Sequence, residues 1–361
     1  MSENYIVKPF EERDLNSIIE MLKTNFPDWE KRVSAQEYWK WKYLKSPLKS
    51  DINVVVYDNT VVAVSHQHNL NIKIGDSTFP SRYIDDVVTH RNYRNKGLYR
   101  LLDEHTFQTT LFFSYLMSEN PIMINYTKKR YSEFPHTFLR TLRVKNVSLE
   151  LKRKKLYKIH VLIGFTALKY LNVIKNSLWN MVTKTNQKEK DYNIEVVKKF
   201  DDLTDQFYDT IQKNFNFIIE KKQDYQNWRY MSPLSGNYSV NKAVKNGKVI
   251  GIIVTELKDM GTYQDGYIID LLALPDREDV AYQLLNNACR YFDEKGVNDI
   301  HYSVIKNSTY DKIAEKFGFI KIFNLFNIFI GCTWRESIQK EYLEVKASNQ
   351  GKIYLCNGDF Y

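Results

Sequence analysis

Ile84-Asp85-Asp86-Val87-Val88-Thr89-His90-Arg91-Asn92-Tyr93-Arg94-Asn95-Lys96-Gly97-Leu98-Tyr99 changes character twice within sixteen positions. Ile84 to Thr89 is a β-branched run fit for a strand. His90 to Gly97 carries three cations, a histidine and a glycine, which is turn composition. A helical pattern then runs from about Leu98 to Tyr115. A strand that ends in a basic, glycine-containing turn opening a helix is an anion site. The N–H groups of the turn and of the helix N-terminus converge on one point, and Arg94 and Lys96 add positive charge. An N-terminal turn merely rich in surface cations is the plainer reading of the same residues.

Outward from this stretch, the chain repeats itself. Val7-Lys8-Pro9-Phe10-Glu11-Glu12 returns as Val197-Lys198-Lys199-Phe200-Asp201-Asp202. Tyr38-Trp39-Lys40-Trp41-Lys42-Tyr43 with Ser46-Pro47-Leu48 returns as Tyr225-Gln226-Asn227-Trp228-Arg229-Tyr230 with Ser232-Pro233-Leu234. Asp58-Asn59-Thr60-Val61 is echoed by Asn246-Gly247-Lys248-Val249, a strand–turn–strand signal in both copies. Ile84-Asp85 matches Ile269-Asp270, and the offset drifts only from 190 at Phe10 to 185 at Ile84. One fold is therefore used twice. Each copy alternates strands with helices, which predicts an α/β (α+β) architecture of two tandem mixed sheets flanked by helices. The expected divisions are a first domain over 1–150, a linker over 151–190, a second domain over 191–330 and an extension over 331–361.

Composition agrees with a two-domain globular protein: 361 residues, 43% hydrophobic, 26% charged and 14% aromatic. Cys289, Cys332 and Cys356 make no disulfide framework and have no metal-ligand spacing, so no metal is expected. Charges follow the initiating methionine at once, without an apolar signal core, and a cytoplasmic protein is the expectation. The formal charge of +9 is concentrated between 151 and 190, where ten basic residues oppose Glu189 alone. No nucleic-acid-binding signature accompanies that block, so nucleic acid is not the expected partner. Apolar positions from Leu156 to Val182 predict a linker helix, too interrupted by lysines to span a membrane. Its sharper reading is peripheral contact with an anionic membrane through 152–182, or a cover over a phosphate-bearing substrate.

Arg94-Asn95-Lys96-Gly97-Leu98-Tyr99 resembles the pyrophosphate loop of the GNAT N-acetyltransferase superfamily, Arg/Gln-x-x-Gly-x-Gly/Ala, at every position but Tyr99. The whole chain is similar to a tandem, two-domain GNAT. The resemblance implies acetyl-CoA in the first copy: Arg94, Asn95, Lys96, Gly97, Leu98 and Tyr99 at the pyrophosphate, the backbone of Val87, Val88 and Thr89 along the pantetheine arm, and Asn125, on a strand expected over Ile122 to Tyr126, as a further contact. The second copy has Pro275-Asp276-Arg277-Glu278-Asp279 at the same place, and three carboxylates repel a pyrophosphate.

Transfer of an acyl group to an amine requires a base for the amine proton and an acid for the leaving thiolate. Alternation along the strand sends Asp85 and Asp86 to opposite faces, so one of them reaches the acceptor side, and their adjacency is expected to raise one pKa. Asp86, Glu133 and His90 are candidate bases. Phe138 stands nearest the place where the family often has an acidic tyrosine, which leaves Tyr131 or Tyr126 for that role. The repeated Trp39, Trp41 and Trp228 read as core. The expected activity is an acetyl-CoA-dependent N-acetyltransferase acting on a small amine, an amino sugar foremost. The alternatives are a tandem aminoacyl- or other acyltransferase and a non-catalytic acyl-CoA-binding or regulatory protein.

Overall fold

A computed structural model describes residues 4–30, 34–109, 113–115, 125–126, 129, 132–145, 191–321, 331–332 and 339–360. The basic segment 151–190 and Tyr131 lie outside the described residues. The chain separates into two compact units, changing from the first to the second between Phe134 and Pro135.

The first unit contains β1 (Ile6–Pro9), α1 (Leu15–Asn25), α2 (Pro27–Glu30), α3 (Ala35–Trp39), β2 (Ser50–Tyr57), β3 (Thr60–Ile74), β4 (Ser77–Thr89), α4 (Leu98–Thr109), β5 (Phe113–Tyr115) and β6 (Ser132–Glu133). Strands β1 to β5 lie in chain order, antiparallel except for the parallel β4–β5 pair. The β2–β3 hairpin turns on Asp58 and Asn59, both left-handed at φ +47° and +59°, as a two-residue turn between right-twisted strands requires. Leu15, Ile18, Ile19 and Leu22 give α1 an apolar stripe that packs with Trp29, Trp39, Val54 and Val88. Leu98 and Leu102 of α4 pack with Val55, Val62 and Ala63. Neighbouring Val54 and Val55 thus serve opposite faces of the sheet, and helices cover both.

The second unit contains β7 (Phe138–Val144), β8 (Asn193–Val196), α5 (Asp202–Ile211), β9 (Phe217–Ile219), α6 (Gln223–Met231), β10 (Tyr238–Lys245), β11 (Lys248–Asp259), β12 (Gln264–Ala273), α7 (Glu278–Glu294), β13 (Asp299–Ile305), α8 (Thr309–Lys316) and β14 (Ile320–Lys321). Its sheet runs β14-β7-β13-β12-β11-β10-β8, and β12–β13 is its parallel pair. The β10–β11 hairpin turns on Asn246-Gly247, again with both residues left-handed. Later in the chain come β15 (Gly331–Cys332), which pairs with β6, and α9 (Gln339–Ala347).

Three expectations change. Strand β7 precedes the basic segment yet sits between β13 and β14, so the first stretch of the first unit ends at Phe134 and not at 150, and β15 later belongs to that unit again. Of the residues expected as an extension over 331–361, those from Glu344 to Phe360 belong to the second unit: Tyr354, Cys356 and Phe360 are buried in it. The helix expected from Leu98 to Tyr115 ends at Thr109, because aromatic Phe113–Tyr115 gains more as the strand beside β4. No helix among the described residues is long and apolar enough to cross a membrane.

Candidate functional site

Asp85 and Asp86 share one site. Val64 pairs with Val88 but His66 pairs with Asp85, so β4 carries one residue more than β3 between these pairs. This bulge holds Asp86 at φ +39°, a left-handed conformation that costs a non-glycine residue about 1 kcal/mol. The alternation that separates neighbouring side chains is broken there, and the expectation of opposite faces fails for that reason.

Lys42 Nζ lies 2.5 Å from Asp85 Oδ2 and 2.9 Å from Asp86 Oδ2. Tyr43 Oη donates to Asp86 Oδ2 at 2.5 Å, and Trp29 Nε1 donates to the same oxygen at 3.2 Å. Lys42 and Tyr43 come from Lys40–Leu44, where α3 widens into a π-helical turn, a rare device that aims successive side chains inward. On β3, His66 accepts from Trp39 Nε1 at 3.0 Å through Nε2 and donates through Nδ1 to the Asp86 carbonyl at 3.0 Å, which fixes its tautomer. His68 Nδ1 meets Ser50 Oγ at 3.1 Å, and its Nε2 is 3.5 Å from Asp85 Oδ2. The Tyr43 ring stacks on both imidazoles, at 4.1 and 5.0 Å between centroids.

Burial works against the Lys42 ammonium, but Asp85 and Asp86 outweigh it and hold its pKa above the usual lysine range. Burial likewise disfavours the Asp85 carboxylate, and Lys42 with His68 outweighs it, keeping Asp85 well below the usual carboxylate range. The expectation that adjacency raises a pKa is thus reversed for Asp85, because a cation lies between the two carboxylates. Burial drives His66 down to about 4 and lowers His68. Burial raises the Tyr43 hydroxyl, with both carboxylates adding to the effect. At neutral pH Asp85 is a carboxylate, Lys42 an ammonium, and the rings of His66, His68 and Tyr43 are neutral. The two carboxylates are 10% and 15% exposed, which suits a site that meets an amine.

The loop after β4 has the form of an anion cradle. Asn95 and Gly97 are left-handed at φ +63° and +77°, and alternation of this kind curls backbone N–H groups toward one side. A Cβ at Gly97 would meet no protein atom within 4 Å, so backbone conformation and not crowding requires glycine. Arg94 donates to Asn25 Oδ1, and Lys96 lies over the Tyr93 ring at 5.6 Å. Tyr99 meets Tyr126 edge-on at 4.9 Å, and Tyr126 Oη donates to Asp103 Oδ2 at 2.8 Å. Strand β4 pairs with β5 only over Ser81–Tyr83; among the described residues no strand pairs with that edge at Val87, Val88 or Thr89.

The remaining sequence candidates fall elsewhere. Asn125 is an exposed residue of a short helical turn and not of the strand beside β4, a place that β5 takes. Glu133 lies in β6, opposite Gly331. Tyr131 is outside the described residues. Phe138 is buried in β7 of the second sheet. His90 caps the turn after β4, accepting from the Asn92 amide. Sequence reasoning missed Lys42, Tyr43, His66 and His68. The repeated motif ending in Lys42-Tyr43 was a signal, absorbed by its tryptophans, and His66-Gln67-His68 alternates on a strand.

The second unit has a parallel cluster with a different finish. Lys221 Nζ lies 3.0 Å from Asp270 Oδ2 and 2.7 Å from Asp359 Oδ1, with all three side chains 2% exposed. Tyr354 donates to Asp270 Oδ1 and accepts from the Leu271 amide at 3.2 Å, while Tyr310 Oη accepts from the Ala273 amide at 3.2 Å. Backbone donors of β12 are thus satisfied by tyrosines. At the end of that strand a cavity of about 150 Å³ is walled in part by Phe215, Leu274, Arg277, Thr309 and Lys352. Arg277 there pairs with Asp191 and Asp279, each at 2.9 Å. The first cluster is reachable, and the second is closed by the protein itself.

A strand, a bulge, an anion cradle and a helix in this order define an acyltransferase fold, and comparison with known proteins agrees. Residues 7–111 match the acetyltransferase (GNAT) domain family. Among solved structures the fold is shared with a GCN5-related N-acetyltransferase from Anabaena variabilis ATCC 29413 (TM-score 0.60, 11% identity, 91% of this chain and 72% of that one). It is shared also with a probable N-acyltransferase of unknown function from Enterococcus faecalis V583 (0.57, 12%, 91% and 71%). Saccharomyces cerevisiae N-myristoyltransferase with bound myristoyl-CoA is a third (0.55, 14%, 92% and 78%). No curated protein matches the sequence.

Proposed function

We propose that the protein is an N-acyltransferase that carries an acetyl group from acetyl-CoA to the amine of a small molecule. The observation that carries this reading is the Arg94–Tyr99 cradle at the end of β4, next to an edge of that strand with which no described strand pairs along Val87–Thr89 and to the Asp85–Asp86–Lys42 cluster. The amine nitrogen attacks the thioester carbonyl, the C–S bond breaks, and the thiolate leaves with a proton. Attack turns the amine into a strongly acidic ammonium, so even a carboxylate of low basicity takes its proton. Asp86 has that role in this reading, with Lys42 and Tyr43 holding its carboxyl group in place.

An amino sugar, phosphate-bearing, is the acceptor favoured by the basic segment 151–190. The second unit, in this tandem reading, shapes the acceptor side and binds no cofactor. The protein works in the cytoplasm, with the basic segment as a peripheral contact for anionic lipid. Tyr99 in place of a small residue, together with the myristoyl-CoA of the yeast neighbour, favours a longer acyl group as the second reading.

Calorimetric titration with acetyl-CoA and with myristoyl-CoA, on wild type and Gly97→Asp, tests both readings. Binding that is lost in Gly97→Asp with the fold retained supports a cofactor site at the loop, and the preferred thioester tells the readings apart. Absence of binding to either thioester overturns them.

A further inference from the structure

At the start of the parallel pair β12–β13, one side chain of β12 and two of β13 meet in the interior of the second unit. Asp265, Asp299 and His301 are 1%, 0% and 8% exposed, and one potential ligand atom from each lies within 4.8 Å of the others. Asp265 Oδ1 accepts from the Asp299 amide at 3.2 Å, which ties the two strand starts together. Tyr267, the register partner of His301, stacks on its ring at 4.5 Å and 15° and fixes the plane of the imidazole.

The imidazole itself points to a ligand. Among the described residues neither nitrogen of His301 has a hydrogen-bond partner, although both are buried. Its Nε2 is 3.6 Å from Asp265 Oδ2, too far for the charge-assisted bond of an imidazolium, which closes to about 2.8 Å. Two ligands of a common ion, each about 2.1 Å from it, stand roughly 3.0–3.5 Å apart, which is close to this spacing. The neighbouring Asn298 donates through Nδ2 to Asp299 Oδ2 at 2.8 Å, and its buried Oδ1 has no partner either. One imidazole nitrogen with carboxylate and amide oxygens is a donor set for a divalent first-row ion and not for a soft one.

We propose that Asp265, Asp299 and His301 bind a divalent transition-metal ion of the Zn²⁺ or Mn²⁺ type. The ion closes the end of the β12–β13 pair, far along the strands from the cavity at Leu274. Its role is to hold the second unit's two parallel strands together, and acyl transfer does not pass through it.

The test uses the full chain, stripped with a chelator and titrated calorimetrically with ZnCl2 and MnCl2, alongside His301→Gln and Asp299→Asn. A single ion per chain, absent in both variants, with melting temperature raised by metal only in wild type, is the expected result. Stoichiometry unchanged in His301→Gln overturns the site in favour of a surface one, and so does wild-type protein that binds no ion. Should both variants misfold, CoCl2 added to wild type decides. Visible d–d bands of a mixed nitrogen and oxygen site support the proposal, and the spectrum of the aqueous ion overturns it.

Discussion

Lys42 Nζ stands 2.5 Å from Asp85 Oδ2, and the two side chains are 6% and 10% exposed. A lysine this buried keeps its charge only because carboxylates face it, and Asp85 keeps its charge only because the lysine does. Asp86, one residue on, is drawn into the same pair by a bulge. The candidate site is therefore one electrostatic unit made from a π-helical turn and a kinked strand.

Lys42→Met removes the cation and leaves two carboxylates in the interior. Stability is expected to fall by about 3–5 kcal/mol, the usual penalty for breaking a buried pair from one side. Urea denaturation measures this, and Lys42→Met combined with Asp85→Asn recovers part of the loss. A loss in the double variant equal to the sum of the losses in Lys42→Met and Asp85→Asn would show that the pair is not coupled.

Asp86→Asn retains the shape of the site and removes the base. The turnover number is expected to fall by about 10²–10⁴, with acyl-CoA affinity unchanged. Tyr43→Phe takes one donor from Asp86 and is expected to lower stability by about 1 kcal/mol, with a smaller loss of turnover. Steady-state kinetics alongside calorimetry separates the two effects; an Asp86→Asn enzyme of full activity moves the base elsewhere.

Acid weakens the first unit through its histidines. His66 holds its proton only below about 4 when folded, against roughly 6.5 when unfolded, so below pH 6.5 the unfolded chain binds more protons. The resulting loss is absent well above pH 6.5 and grows as pH falls toward 4, amounting to about 2 kcal/mol between pH 7 and 5. His68, also lowered, adds to it in the same direction. Denaturant titrations at pH 7, 6 and 5 read the slope, which His66→Leu is expected to flatten.

In the second unit, Lys221→Met strands Asp270 and Asp359 and removes the tie that holds the closing residues. A loss of about 3–5 kcal/mol is expected, together with proteolytic cleavage within 344–360 under conditions where wild type resists. Mass spectrometry of the fragments locates the cut. Intact closing residues in a destabilised variant would show that they are held by their apolar side chains, Tyr354, Leu355 and Phe360, alone.

Much of this architecture was written locally. The two-residue turns at Asp58-Asn59 and Asn246-Gly247, the apolar stripe of α1 and the turn from β4 into α4 each depend on residues close together in the chain, and each was legible as spacing or conformational preference. The internal repeat predicted one fold used twice, because a repeated sequence must solve the same packing problem twice. The Arg94–Tyr99 cradle was legible too, since left-handed conformation and cationic charge reside in its own residues. What tertiary structure alone decided is non-local. Register between β3 and β4 made the bulge that turned Asp86 toward Asp85, and no local pattern marks an extra residue in a strand. Burial, and not residue type, drew Lys42 and His66 into the site. Strand β7 joined the second sheet, and Asp265 met His301, because hydrogen bonding and long-range packing set partners that separation along the chain conceals.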